Sequence, residues 1–350
     1  MKPLSAACLL TLSAVVWTPA APQALASPRL TQAASQTTSP TSTQPASQTT
    51  ATSGTPPPDQ PVATIKVSTR VVAISAVVTG KQGEPTGGLT KNDFILKQDG
   101  HEEPIRYFSQ GSDLPLTLAL MVDTSGSQRT LISDEILASD VFFESMLGRP
   151  EDRAALIQFD ARVLQLKGLT SSPDQLHLAL LSLRSDPQYA GATLLTDAVD
   201  AVARKILANQ TGRKAMILLT DGGDAGSHTP IAKAIEQAQR NDIQIYSILY
   251  TAADEAAPLN GRPPHPTVFD AGPAILQNLA ESTGGHAFAV SPTTSLHSIF
   301  ARIAEDLRLQ YELGYTPPPD TPPNSYHRLE LKTRDHKLTA QARKGFFAPP

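Results

Sequence analysis

The sequence predicts a doubly wound α/β domain framed by a small β unit, and three observations carry that fold class. The run "LPLTLALMVD", Leu114 to Asp123, is nearly all apolar, as a strand covered on both faces of a parallel sheet must be. From there to Leu309, short apolar runs alternate with stretches of helical periodicity. On either side of that region the chain is rich in β-branched residues at period two.

The elements follow in order. "TIKVSTRVVAISAVVTG" places Val72, Ile74, Ala76 and Val78 on one strand face. "KQGEP" turns, and "DFILKQDGHEEPIRYFS" reads as a hairpin closed at Asp99-Gly100. After the Leu114 strand, residues Ser133 to Leu147 are helical in pattern. "DRAALIQFD" and "ARVLQLKGL" are two strands separated by one tight turn. That connection is too short for a parallel crossover, so the second is antiparallel and at the sheet edge. Helices are expected over Pro173 to Leu183 and Leu194 to Ala208, then the strand "KAMILLT", a helix over Pro230 to Arg240 and the strand "IQIYSILY". A helix over Ala274 to Thr283, the strand "HAFAV" and a helix from Ser295 to Leu307 complete the alternation, the last carrying its apolar residues at core spacing. "LQYELGYT", "YHRLELKT" and "KLTAQARKGFF" return to strand character around the Pro-rich "PPPDTPP". The two β sets bracket the α/β region, and their pairing would make that region an insertion into a small sheet or sandwich.

The resulting organisation is a signal peptide over 1–26, a Ser/Thr/Pro/Gln-rich linker over 27–61, an N-terminal β unit over 62–113, the α/β domain over 114–309 and C-terminal strands over 310–350. Lys2, the apolar stretch Leu4 to Trp17 and the small residues "ALA" ending at Ala26 have the layout of a secretory signal cleaved before Ser27. An uncleaved anchor is the alternative. Cys8, the only cysteine, lies within that signal, so the mature chain has no thiol chemistry. The linker has too few large apolar residues to offset its ordering entropy. No later run is long enough to cross a bilayer. The chain is therefore expected to be exported, to the periplasm or the cell surface. A net charge of -4 over 350 residues excludes a nucleic-acid binder of the basic type, and Arg343-Lys344 is too small a basic pair to alter that.

Two strands run into a carboxylate. "LALMVD" continues as "TSGS", spacing Asp123, Ser125 and Ser127 by two on one loop, and "LLTDGGD" ends its strand at Asp221. "GATLLTDAV" adds the hydroxyl of Thr193 at a helix entrance. In an open parallel sheet ligands bind at the carboxyl ends of strands, where these residues fall. Two carboxylates and three hydroxyls form a hard oxygen set, suited to a divalent cation such as Mg²⁺, with Mn²⁺ or Ca²⁺ as alternatives. Taken singly, Ser125, Ser127 and Thr193 could be helix caps, and Asp221-Gly222 a simple turn.

"DTSGS", "GATLLTDAV" and "LLTDGGD", in this order and on these elements, resemble the three motifs of von Willebrand factor type A domains that carry a metal-ion-dependent adhesion site. The flanks "GGLTKNDFILKQDGHEEPIRYFS", "YELGYTPP" and "ARKGFFAP" resemble a bacterial subgroup, the exported VWFA-related proteins abundant in Acidobacteria. The resemblance implies a central, mainly parallel sheet with one antiparallel edge strand. It implies that Ser125, Ser127 and Thr193 reach the metal through their hydroxyls, and Asp123 and Asp221 directly or through water. It also implies a partner protein that supplies an Asp or Glu carboxylate to the remaining position. Gln128 departs from the pattern, where many relatives have Met.

A metal-assisted hydrolase or an envelope assembly factor built on the same site is the competing expectation. No "HExxH", "GxSxG" or "GxxxxGK" pattern is present. Asp224 could act as a base, although a turn-capping role fits it better. The eight histidines, His101, His177, His228, His265, His286, His297, His327 and His336, show no helical metal spacing and read as solvated or loop residues. The loop "PLNGRPPHPTVFDAG" would lie on the metal edge, as a specificity element or as a tolerated insertion. The expectation is a binding module rather than an enzyme.

Overall fold

The computed structural model describes residues 71–111, 114–189, 191–251 and 271–349. The expected signal and linker, the start of the expected first β unit and most of the Pro258 to Gly272 segment lie outside the described residues. All described elements belong to the compact unit Lys66–Pro350.

The centre is a six-stranded sheet built from β5 (Leu116–Asp123), β6 (Arg153–Phe159), β7 (Val163–Thr170), β8 (Arg213–Thr220), β9 (Ile243–Leu249) and β10 (Ala287–Ala289). Its order is β10-β9-β8-β5-β6-β7. All neighbours are parallel except β6 and β7, so β7 is the antiparallel edge strand that the short turn predicts. Leu116, Leu118, Leu120 and Val122 of β5 face a core shared with α1 (Ile132–Met146), α2 (Pro173–Leu180) and α6 (Leu296–Arg308). Ala119 and Met121 face the opposite core, shared with α3 (Leu195–Val202), α4 (Ile231–Arg240) and α5 (Gly272–Thr283). Burial on both faces is why the β5 run shows no polar alternation, and each fully buried Leu, Ile or Val contributes roughly 1.5–3 kcal/mol. The helix pattern through Ala208 holds, but its last part, Ala203–Leu207, is a π turn rather than continuing α-helix.

The flanking strands pair across the chain as two four-stranded antiparallel sheets over a shared core, in line with the expected small sheet or sandwich. β1 (Val72–Thr79) lies between β11 (Tyr311–Tyr315) and β13 (Thr339–Ala342), with β4 (Tyr107–Gln110) on the far side of β11. β12 (Tyr326–Thr333) lies between β2 (Phe94–Gln98) and β14 (Gly345–Phe347), and β2 pairs with β3 (His101–Glu102). Asp99 and Gly100, both at positive φ, close the β2-β3 hairpin with Gln98 opposite His101. The expected hairpin does not extend to Phe108, because β4 crosses to the other sheet and pairs with β11. The two sheets enclose Val72, Ile74, Ala76, Val78, Phe94, Leu96, Tyr311, Leu313 and Tyr315. Both ends of the α/β insertion meet at the strand-start edge of the central sheet. The Gly111 amide donates to the Gln310 carbonyl there, and the Arg213 guanidinium donates to the carbonyl of Leu307. The strand-end edge is the opposite pole.

Candidate metal centre

Strand order reverses between β5 and β8. After β7 the chain returns to the other side of β5, so the crevice at the ends of β5 and β8 is the switch point of the sheet. Asp123 ends β5 and Asp221 follows β8, because the two apolar runs stop at the same level, with Val122 opposite Leu219. The Thr220 hydroxyl donates to Asp123 Oδ2 at 2.6 Å, and the Ser125 amide donates to Asp123 Oδ1 at 2.9 Å. Ser125 Oγ lies 3.2 Å from Ser127 Oγ, and Ser127 Oγ donates to Asp221 Oδ2 at 2.5 Å. Gln128 Nε2 donates to the same oxygen at 3.1 Å, and the Gly223 amide to Asp221 Oδ1 at 2.8 Å. Asp123, Ser125, Ser127 and Asp221 thus form one linked group.

Thr193 joins them through its backbone. It exchanges hydrogen bonds with Ala225, four residues beyond Asp221, at 3.2 and 3.0 Å. Among the described residues, the hydrogen bonds that link the other four do not include its hydroxyl. Ser125 stands at the N-cap of the 3-10 turn Gly126–Gln128, but neither it nor Leu194, the N-cap of α3, makes a side-chain cap bond, so capping does not account for these side chains. Asp224, expected to cap a turn, instead accepts from Thr196 Oγ1 on α3 at 3.0 Å. The turn after Asp221 needs glycine. Gly222 has φ +82°, and a Cβ there would sit 2.7 Å from the backbone of Gly272.

The electrostatics are those of crowded buried acids. Burial pushes the Asp123 carboxyl up to about 7; the Thr220 hydrogen bond works against this, and the Asp221 charge adds to it. Glu135 on α1 is fully buried, and both its carboxyl oxygens lack a hydrogen-bond partner among the described residues. Burial raises it to about 9, helped by the charges of Asp123 and Asp134. The sequence reading missed Glu135. Its signal is local: it sits at an apolar-stripe position of α1, between Ile132 and Ala138. Among the described residues no group of three His, Cys, Asp or Glu side chains is placed to hold a metal ion by itself. Two close carboxylates with hydroxyl oxygens around them make a donor set that suits a hard divalent cation.

Among the histidines, His327 departs from the expectation of solvated or loop residues: it lies on β12, buried between Asp99 and Ser325. His286 is a loop residue, its Nδ1 2.9 Å from the buried carboxylate of Asp306.

A parallel sheet whose switch point presents an Asp-x-Ser-x-Ser loop beside a second strand-ending Asp defines a class of α/β domain. The family profile of the von Willebrand factor type A domain matches residues 118–302, and the chain belongs to that family. No curated protein matches the chain in sequence. Similar solved structures include the von Willebrand factor type A protein of Catenulispora acidiphila, at 13% identity over 81% of this chain and 75% of that one, TM-score 0.44. The vWF domain of the type V pili tip protein Mfa5 from Porphyromonas gingivalis matches at 15% identity over 55% and 94%, TM-score 0.43. Proximal thread matrix protein 1 from the mussel byssus, with a zinc-occupied MIDAS motif, matches at 16% identity over 60% and 50%, TM-score 0.44.

Proposed function

We propose that this chain is an exported binding module that holds a divalent cation, Mg²⁺ in first place, with Asp123, Ser125, Ser127, Thr193 and Asp221, and captures a carboxylate of a partner protein. The observation that carries this reading is the convergence of Asp123 and Asp221 at the switch point, linked through Ser125 and Ser127, with the Asp123 carboxyl raised by burial and by the Asp221 charge. When bound, the cation supplies positive charge that offsets the two acids and attracts a third. Asp123 is oriented from both oxygens, by Thr220 and by the Ser125 amide, so it is held in place before any ligand arrives. The three hydroxyls are weak neutral ligands that add no charge, so the cation stays electrophilic towards an anionic partner group. Gly222, at φ +82°, turns the chain away beyond Asp221.

The architecture supports presentation. The flanking sheets gather at the strand-start pole, and the acid loops lie at the strand-end pole. With a secretory signal and a polar linker ahead of Val62, this arrangement suits a protein of the bacterial VWFA-related subgroup that extends its site outward in the periplasm or at the cell surface. Among the described residues no helix is long and apolar enough to cross a membrane.

Thermal unfolding in EDTA and in millimolar Mg²⁺ or Mn²⁺ tests the cation. A ligand at 100 times its Kd adds about 2.7 kcal/mol of stability. That gain should vanish in Asp123→Ala and Asp221→Ala, and absence of any cation shift in the unmutated protein would overturn the site. A crosslinked capture from the native envelope with and without EDTA tests the partner.

A further inference from the structure

A second cluster lies on the flanking sheets, away from the strand-end acids. Ser325 Oγ is 2.6 Å from His327 Nε2, and His327 Nδ1 is 2.7 Å from Asp99 Oδ2. Asp99 is itself oriented, because its Oδ1 accepts the Arg328 amide at 2.8 Å. An ionised carboxylate only accepts, so a proton on Nδ1 suits the Asp99 contact, although the Gln98 amide nitrogen also lies 3.3 Å from Nδ1; with Nδ1 protonated, Nε2 presents its lone pair to the serine hydroxyl. The His327 side chain is 11% exposed, and its ring packs on the Phe346 ring with centroids 5.4 Å apart. Ser325 is partly exposed, and its hydroxyl can also donate to the Pro322 carbonyl. The residue before it, Asn324, has φ +59°, and Asp99 has φ +49°. Two non-glycine residues in the left-handed region flank one hydrogen-bonded relay, and such backbone is kept where the surrounding structure dictates it.

We propose that Ser325 is an activated nucleophile, with His327 as its base and Asp99 orienting the imidazole, and that it accepts acyl groups from short esters. Ser325 Oγ attacks the ester carbonyl carbon and its proton passes to His327 Nε2. The ester C–O bond breaks and the alcohol leaves with that proton. Water then attacks the acyl-serine, giving one proton to His327 and releasing the acid, and the proton returns to Ser325. The sum is ester plus water to acid plus alcohol.

The test uses the full exported chain with a fluorophosphonate and with 4-nitrophenyl acetate, read by intact mass and peptide mapping. One adduct on Ser325 is expected, absent in Ser325→Ala. Labelling should slow by about 100-fold in His327→Gln, the scale of a positioned general base. Asp99→Asn keeps a residue suited to positive φ and should slow labelling even where His327→Gln does not fold. Circular dichroism follows folding in each variant. No adduct on Ser325, or labelling in folded His327→Gln and Asp99→Asn as fast as in the unmutated protein, would overturn the proposal and leave the three side chains as a pin between the β2-β3 turn and β12.

Discussion

Glu135 offers a direct measure of the electrostatic stress beneath the strand-end loops. Its carboxyl is fully buried and unpartnered, and is raised from the ordinary 4.5 to about 9. The folded protein therefore holds this proton more tightly than the unfolded chain. The associated stability is fully present below about pH 4.5 and is lost as pH rises towards about 9. At pH 7 the gap between 4.5 and the solution pH amounts to roughly 3 kcal/mol at about 1.4 kcal/mol per unit. Glu135→Gln keeps the shape and removes the ionisation. In EDTA the variant should match the unmutated protein near pH 4.5 and exceed it by roughly 3 kcal/mol at pH 7, or about 6–12 °C in Tm at roughly 2–4 °C per kcal/mol. Melting curves from pH 4.5 to 9 give the comparison. Parallel pH profiles for the two proteins would refute the reasoning, since they would mean that Glu135 ionises as freely folded as unfolded.

Other expectations are local. Gly222→Ala should lower Tm and abolish the Mg²⁺ shift, because its Cβ would meet the Gly272 backbone at 2.7 Å, whereas Gly83→Ala, at φ +85° with open space around it, should cost only about 1–2 kcal/mol and leave the shift intact. Gln128→Met removes a donor from Asp221 Oδ2 and should tighten Mg²⁺ about two- to tenfold by calorimetric titration, the equivalent of one ordinary hydrogen bond. Arg343→Ala should destabilise by roughly 3 kcal/mol in urea unfolding. Its side chain is 10% exposed, pairs with Asp242 and donates to the Gln239 and Ala73 carbonyls, which tie the flanking sheet to the central one.

Local pattern carried much of this fold. The apolar runs of β5 and β8 had to be central strands, because each lacks polar alternation and stops at a carboxylate. The antiparallel edge at β7 followed from a turn too short to cross over. The face of Val72, Ile74, Ala76 and Val78 followed from period two, and the Asp99-Gly100 turn from residues that tolerate positive φ. The candidate loops were legible for the same reason: "DTSGS" and "LLTDGGD" interrupt their own strands, and that interruption is visible within ten residues.

What stayed hidden depends on pairing across the chain. Nothing near Tyr107 reveals that β4 leaves its hairpin neighbour for β11, some two hundred residues later. His327 looked solvated because its partners, Ser325 and Asp99, are brought together only when β12 pairs with β2. Glu135 showed its burial in the apolar stripe of α1, but the neighbouring charge of Asp123 reaches it only because α1 packs beside the end of β5. The sequence by itself determined the elements, their order and the chemistry at each strand end, since dihedral preference and hydrophobic period act over a few residues. Only the tertiary structure decided which acids share a buried space and which hydroxyl meets which imidazole, because desolvation and hydrogen bonding depend on distances that non-local packing alone sets.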